Sequence, residues 1–300
     1  MLQPFKKIKD FNSVKFFSRD LPKHSSYIYK LFSTIYFNEQ KKRKKISFNV
    51  DSLITKELVN LGCAQISENI KNQIISLNLM NDFNSIDWHG DEKVIRKKNW
   101  MYYYQPNLSY PLAKVLINIA KELSGYLDGM PILRSCFFWY SFNNSNTTQR
   151  KKFSGSQLLH RDNNDWRQIR LFFALDDVNQ SNGALEYLDS KVSEKAFEYF
   201  NNKFYKYKRN LKIPDENIKI FEKSLIQNNI KKNNGFYIDT GNCYHRGSRV
   251  VNGTRKMFVV QFMTPFHIDR KIFKIKNFNK KLYEKDDGIG YYCLGDVFDK

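Results

Sequence analysis

The chain is short of the residues that most often build metal clusters and cross-links. Its four cysteines, Cys63, Cys136, Cys243 and Cys293, are scattered over 300 residues with no C-x-x-C. That spacing excludes a zinc-finger ligand set and a disulfide framework, and it suits a reducing compartment. Long apolar runs are missing too. No stretch reaches membrane-spanning length, and the opening MLQPFKKIKDFNSVKFF has no continuous apolar segment of the signal-peptide kind, so a soluble cytoplasmic protein is expected. Internal repeats and low-complexity linkers are absent, which makes one domain with extensions the simplest organisation. The sequence is silent on oligomeric state.

Negative charge is scarce: 30 acidic residues stand against 50 basic ones, a formal charge of +20. A nucleic-acid partner is unlikely on this evidence, because the basic residues are dispersed apart from Lys41-Lys42-Arg43-Lys44-Lys45. No helix-turn-helix, finger or RNP-like pattern accompanies them. Lys far outnumbers Arg, and Asn, Ile, Phe and Tyr are abundant, the bias an AT-rich genome imposes. A dispersed positive field steers small anions without reading bases.

What is plentiful is core material, with 41% hydrophobic and 16% aromatic residues. The first half reads helical. A stripe of Tyr27, Ile28, Leu31, Phe32, Ile35 and Tyr36 lies in an N-terminal extension, residues 1–50. Asp51 stands as an N-cap before Ile54, Leu58 and Leu61, with Gly62 as the stop, and Ser67 caps a helix through Ile70, Ile74 and Leu77. After Pro111 the series Leu112, Val115, Leu116, Ile119, Leu123 and Leu127 forms one stripe closed by Gly129. Beyond it the period shortens. Strands are expected at 131–142, 157–160, 168–175, 184–188, 235–239 and 255–263. Residues 193–234 form an insertion with helical spacing at Ala196, Phe197, Phe200 and Phe204, then at Ile218, Phe221 and Leu225. Helices followed by many short strands predict a mainly β domain, residues 51–266, with flanking helices packed on a β-sandwich or barrel. A tail, 267–300, completes the chain.

Within this β region lies His160-Arg161-Asp162. In a strand, residues two apart share a face, so His160 and Asp162 can reach one ion. Taken alone, the triplet fits a strand-end turn with a capping Asp equally well. Of the five histidines (His24, His89, His160, His245 and His267), His245 is the one in a second β-rich segment. Two histidines and one carboxylate make the facial triad used for non-heme Fe(II), which leaves positions for O₂ and a bidentate co-substrate. Arg255 opens the next strand, where a guanidinium can grip the far carboxylate of a 2-oxo acid. The rival role for Arg255 is a solvent-facing residue after the Asn252-Gly253 hairpin signal.

The segment 157–263 resembles the phytanoyl-CoA dioxygenase family of Fe(II)/2-oxoglutarate oxygenases. The likeness rests on HRDNNDWRQIRLFFALDDVNQSNGALEYL and DTGNCYHRGSRVVNGTR, and more loosely on ITKELVNLGCAQISENI. It implies a double-stranded β-helix (jelly roll) core and an enzyme. His160, Asp162 and His245 would bind iron, and Arg255 would bind 2-oxoglutarate. The implied reaction is hydroxylation of a small or medium-sized, anionic or neutral organic substrate with O₂, releasing succinate and CO₂. Asp162 stands where halogenating relatives carry a small residue, which favours oxidation over halogenation. Gln157 and Tyr140 are further candidates for 2-oxoglutarate, and Trp166 and Arg170 for substrate, if their side chains face inward. Asp239 either supports His245 or begins a turn; Cys243 is expected to be a buried structural thiol, and Arg246 and Arg249, the alternative anion ligands, are expected to be surface charge. The pattern departs from the family at Asp189-Ser190-Lys191 and in the long insertion. The alternatives are an inactive jelly-roll binding protein and a nucleic-acid-associated protein.

Overall fold

A computed structural model describes residues 52–127, 129–143, 153–162, 164–165, 167–204, 212–264 and Cys293. The stripe at 27–36, His24, Asp51, Trp166, His267 and both expected domain boundaries fall outside them. Helix α1 (Leu53–Leu61) is capped by Ser52, whose hydroxyl accepts from the Thr55 N–H. It ends on Gly62 at φ +72°, and a Cβ there would sit 2.3 Å from the Cys243 sulfur. Only glycine satisfies both the left-handed backbone and that contact. Strand β1 (Cys63–Gln65) follows, then α2 (Glu68–Ser76), capped by Ser67 as expected. Helix α3 (Leu79–Asn84) precedes β2 (Ile95–Lys98) and β3 (Met101–Tyr104). These two strands replace the helical character expected of the whole first half. Helix α4 (Tyr110–Leu123) is capped by Ser109 and buries its apolar stripe, with Leu127 in the turn beyond it.

The β core begins with β4 (Ile132–Phe142), followed by a 3-10 turn at Gly155–Gln157. Then come β5 (Gln168–Ala174), β6 (Leu185–Tyr187), α5 (Ser190–Phe204), β7 (Ile226–Asn228), β8 (Gly235–Asp239), β9 (His245–Arg246) and β10 (Thr254–Met263). The insertion differs from expectation in two ways. Its second helix is a pair of 3-10 turns, Asp215–Asn217 and Lys219–Ser224, and it contains β7. The departure at Asp189 has a local cause: its carboxylate accepts from the Val192 N–H at 2.8 Å at the start of α5.

A seven-stranded antiparallel sheet runs β1-β8-β5-β10-β4-β3-β2, and a smaller one runs β7-β6-β9. Bridges from Leu159 to Ile213 and from His160 to His245 extend the smaller sheet. The chain alternates between the sheets after β4, to 159–160, back to β5, across to β6 and β7, then β8, β9 and β10. That alternation is a jelly roll. Side-chain parity divides the interior. Phe138, Leu171, Phe173, Tyr237, Phe258 and Val260 pack outward against the helical layer. Phe172, Ala174, Phe236, Ile238, Met257 and Val259 face inward toward the small sheet.

Candidate metal centre

His160 and His245 pair through their main chains: the His160 N–H donates to the His245 carbonyl at 3.0 Å, and the reverse bond is 2.8 Å. The Asp162 N–H donates to the Thr240 carbonyl at 2.8 Å, carrying the extended backbone two residues further. Arg161, between the two candidate ligands, turns to the other side. Its guanidinium donates to the Gly241 carbonyl and Asn242 Oδ1 and lies over Phe197, pinning this segment to the turn that precedes His245. That turn is organised by Asp239, whose carboxylate accepts from the Tyr126 hydroxyl, the Gly241 and Asn242 N–H groups and the Asn242 amide. Asp239 therefore builds the approach to His245 and does not touch its ring. Cys243 is buried with its sulfur against the Leu61 and Gly62 carbonyls, a structural thiol.

One ligand atom from each of His160, Asp162 and His245 lies within 4.8 Å of the other two, so the cluster can hold a metal ion. His160 Nδ1 is 2.7 Å from the Leu158 carbonyl and His245 Nδ1 is 3.0 Å from the Cys243 carbonyl. A carbonyl only accepts, so each Nδ1 carries its proton and each Nε2 lone pair is left for the ion. Burial pushes His160 down, and it pushes His245 down to about 3 with His160 adding to the shift; Asp162 opposes both. Burial alone would raise the Asp162 carboxyl. Arg170, the two histidines and the Thr240 hydroxyl outweigh it and hold the group at about 2. Neutral imidazoles and an ionised carboxylate are the protonation states a divalent ion needs.

Arg255 is 2% exposed and has no carboxylate partner among the described residues. Its Nη1 donates to Ser248 Oγ at 2.8 Å, while Nε and Nη2 are buried without hydrogen-bond partners among the described residues. Burial pushes the group down to about 10, against the opposing influence of Tyr103. Ser248 adopts φ +59°, and Gln157 donates to its carbonyl at 3.0 Å. Gln157 thus holds the loop that carries Arg255's partner. Arg246 and Arg249, expected as surface charge, are instead part-buried and paired with Glu186 and Asp215.

Tyr140 lies on the wrong face for a co-substrate contact. Its ring packs against Phe83, Trp88 and Phe142 on the side of β4 that meets the helical layer. The inward face of β4 carries Trp139 instead. Trp139 stacks on Tyr103 at 4.8 Å, directly across the β3–β4 pair, and meets Phe172 edge-on at 5.6 Å. Phe172 lies under Arg255, and Arg170 lies over Trp139 while its Nη2 is 2.9 Å from Asp162 Oδ2. One aromatic lining therefore runs from Arg255 to the metal cluster. Tyr103 stacks on Trp139, which joins it to the lining that Arg170 and Arg255 lie over, and Arg170 reaches Asp162 from there. Tyr103, Trp139, Thr240 and Ser248 carry no motif, and only the inward parity of their strands and turns marks them.

Fold and site together define a jelly-roll protein with a two-histidine, one-carboxylate cluster and a buried, unpaired arginine. No family model and no curated protein matches the chain. Among solved structures it is similar to the non-heme alpha-ketoglutarate-dependent epimerase SnoN from nogalamycin biosynthesis, at 11% identity and TM-score 0.46 over 71% of this chain and 82% of that one. It is also similar to apo EctD from S. alaskensis, at 11% and 0.46 over 71% and 76%. A third is HygX from Streptomyces hygroscopicus with nickel and 2-oxoglutarate bound, at 10% and 0.42 over 70% and 85%. Among the described residues no helix is long and apolar enough to cross a membrane.

Proposed function

We propose that the protein is an Fe(II)- and 2-oxoglutarate-dependent dioxygenase of the phytanoyl-CoA dioxygenase-like kind, hydroxylating a small or medium-sized organic substrate. The observation that carries this reading is Arg255: a buried guanidinium with two unpartnered N–H groups, in the same interior as the His160–Asp162–His245 cluster. An uncompensated buried charge is costly unless a ligand supplies the counter-charge. Two parallel N–H donors suit a carboxylate. A 2-oxo dicarboxylate has one carboxylate for the arginine and a 2-oxo acid end for the ion.

The donor set fits the metal. His160 and His245 would offer Nε2 and Asp162 one oxygen, occupying three of six positions. When bound, the Fe(II)–2-oxoglutarate pair supplies O₂-dependent oxidative decarboxylation, yielding succinate and CO₂ with hydroxylation of a C–H bond. The protein's own part is positional. The Leu158 and Cys243 carbonyls fix the histidine tautomers, and Ser248 holds Arg255. Tyr103, Trp139 and Phe172 wall the co-substrate from water. Asp162 leaves no room for a halide at its position, which favours hydroxylation.

The test is anaerobic titration with Fe(II) and 2-oxoglutarate, followed by succinate release on admitting O₂. Stoichiometric binding of both and O₂-dependent succinate are expected. Binding of both with no succinate across a substrate panel would favour a binding protein, and no metal binding at all would sink the reading.

A further inference from the structure

The charges around the cluster are unbalanced in a way the proposed co-substrate does not correct. Asp162 is the carboxylate acting on both histidines, whereas Arg170 acts on both and Lys212 on His160. Arg255 lies further in, with Arg170 sensed beside it by Tyr103. Count the buried Arg255 guanidinium, the part-buried Arg170 guanidinium and a divalent ion against Asp162 and a dianionic co-substrate. One positive charge is left over, before Lys212 is added. Excess charge of one sign in a water-poor site is costly unless a ligand balances it.

Arg170 is also under-used as a donor. Its Nη2 reaches Asp162 Oδ2 at 2.9 Å, yet that oxygen has no hydrogen-bond partner, so the contact is ionic and poorly aligned. Its Nε is buried with no partner among the described residues, and so is the indole Nε1 of Trp139, over whose ring the guanidinium lies at 5.3 Å. Both groups donate and neither accepts. Arg170 keeps 17% of its side chain exposed, Asp162 14% and His160 11%, so the arginine borders the same solvent-reachable space as the ligands. Lys212, within the insertion, is exposed and precedes Ile213, which bridges to Leu159 beside His160.

We infer that Arg170, aided by Trp139 Nε1 and Lys212, forms a second anion subsite beside the metal, and that the primary substrate carries a carboxylate or phosphate bound there. This inference rests on the proposed metal and 2-oxoglutarate site. The two anions are sorted by depth: Arg255 holds the co-substrate and Arg170 the substrate. The chain's large positive charge assists by steering such anions inward.

The probes are inorganic phosphate, followed by ³¹P relaxation, and trifluoroacetate, followed by ¹⁹F relaxation. Full-length protein is kept in excess over Mn(II), with 2-oxoglutarate saturating. Saturable paramagnetic relaxation of at least one probe is expected. Arg170→Met should weaken it about tenfold or more, as expected for charge-assisted hydrogen bonds. Lys212→Met, at an exposed position, should weaken it about two- to threefold. Whichever probe shows the larger Arg170-dependent effect identifies carboxylate or phosphate as the substrate's anionic group. Intact Mn(II) and 2-oxoglutarate binding without saturable relaxation overturns the subsite alone. So does relaxation that neither substitution changes, since the anion then sits on the ion itself. Failure of the unmodified protein to bind Mn(II) or 2-oxoglutarate overturns the site reading and this inference with it.

Discussion

His160 and His245 exchange main-chain hydrogen bonds in both directions, and their rings lie 4.5 Å apart. The pair is thus positioned by backbone before any ion is bound, and only Asp162 comes from outside it. Replacing either histidine removes a ligand without dismantling the bridge. His160→Ala and His245→Ala are each expected to lower Co(II) affinity by more than about 100-fold, beyond the roughly 10–100-fold typical of outer partners. His89→Ala, at an exposed position, should leave it unchanged. Equal Co(II) affinity in all three proteins would refute the assignment.

Arg255 predicts opposite effects on binding and stability. Arg255→Met removes a buried charge that lacks a counter-ion, so urea denaturation should show equal or higher stability for the ligand-free protein. The same change should cost 2-oxoglutarate two charge-assisted hydrogen bonds, about 3 kcal/mol or more, a loss of over about 100-fold by calorimetry. Ser248 offers a finer test. Ser248→Ala and Ser248→Gly both remove Arg255's acceptor, but glycine relieves the φ of +59°. The glycine variant should be the more stable by about 1 kcal/mol, with 2-oxoglutarate binding weakened in both.

Most of the candidate site was readable because it depends on two local rules. Side chains two apart share a strand face, which joined His160 to Asp162, and residue chemistry singled out His245 and Arg255. Tyr140 shows where such reading stops. Strand β4 is apolar and aromatic on both faces, since one meets the helical layer and the other the barrel interior. Alternation therefore left no mark of which residues point inward, and Trp139 was passed over for its neighbour. Tyr103 was missed for a different reason. Its strand lies in IRKKNWMYYY, whose β character comes from pairing with β4 and not from local pattern. Strand β7 is three residues long within an Asn-rich insertion, too short for any period to register. Partners that are distant in sequence decide these elements.

A one-way chain of hydrogen bonds ends on Asp162. The Gln261 amide donates to Gln168 Oε1 at 3.2 Å, and the Gln168 amide donates to Thr240 Oγ1 at 3.2 Å. Thr240 keeps its hydroxyl proton, and the hydroxyl helps hold the Asp162 carboxyl low. Thr240→Val should therefore weaken Co(II) binding about 10–100-fold, the usual cost of an outer partner. It also strands the buried Gln168 amide, costing about 1–3 kcal/mol of stability. Gln168→Leu keeps the hydroxyl and should affect metal affinity less than stability. If the two variants shift Co(II) affinity equally, the chain does not act through Thr240.

Acid should weaken the metal-free protein earlier than its carboxylates alone would. His245 is held neutral in the fold, down at about 3 against an ordinary value of 6.5, chiefly by burial. The unfolded chain therefore takes up a proton that the folded chain refuses. That part of the stability is fully present above pH 6.5 and is lost as the pH falls toward about 3, at roughly 1.4 kcal/mol per pH unit for each proton. Asp162 adds a loss of the same sign in a lower window, between 3.8 and about 2. Urea midpoints of the metal-free protein should thus fall between pH 6.5 and 4, and His245→Gln, which has no proton to take up, should flatten that slope. An unchanged slope in the glutamine variant would show that His245 is not the group responsible.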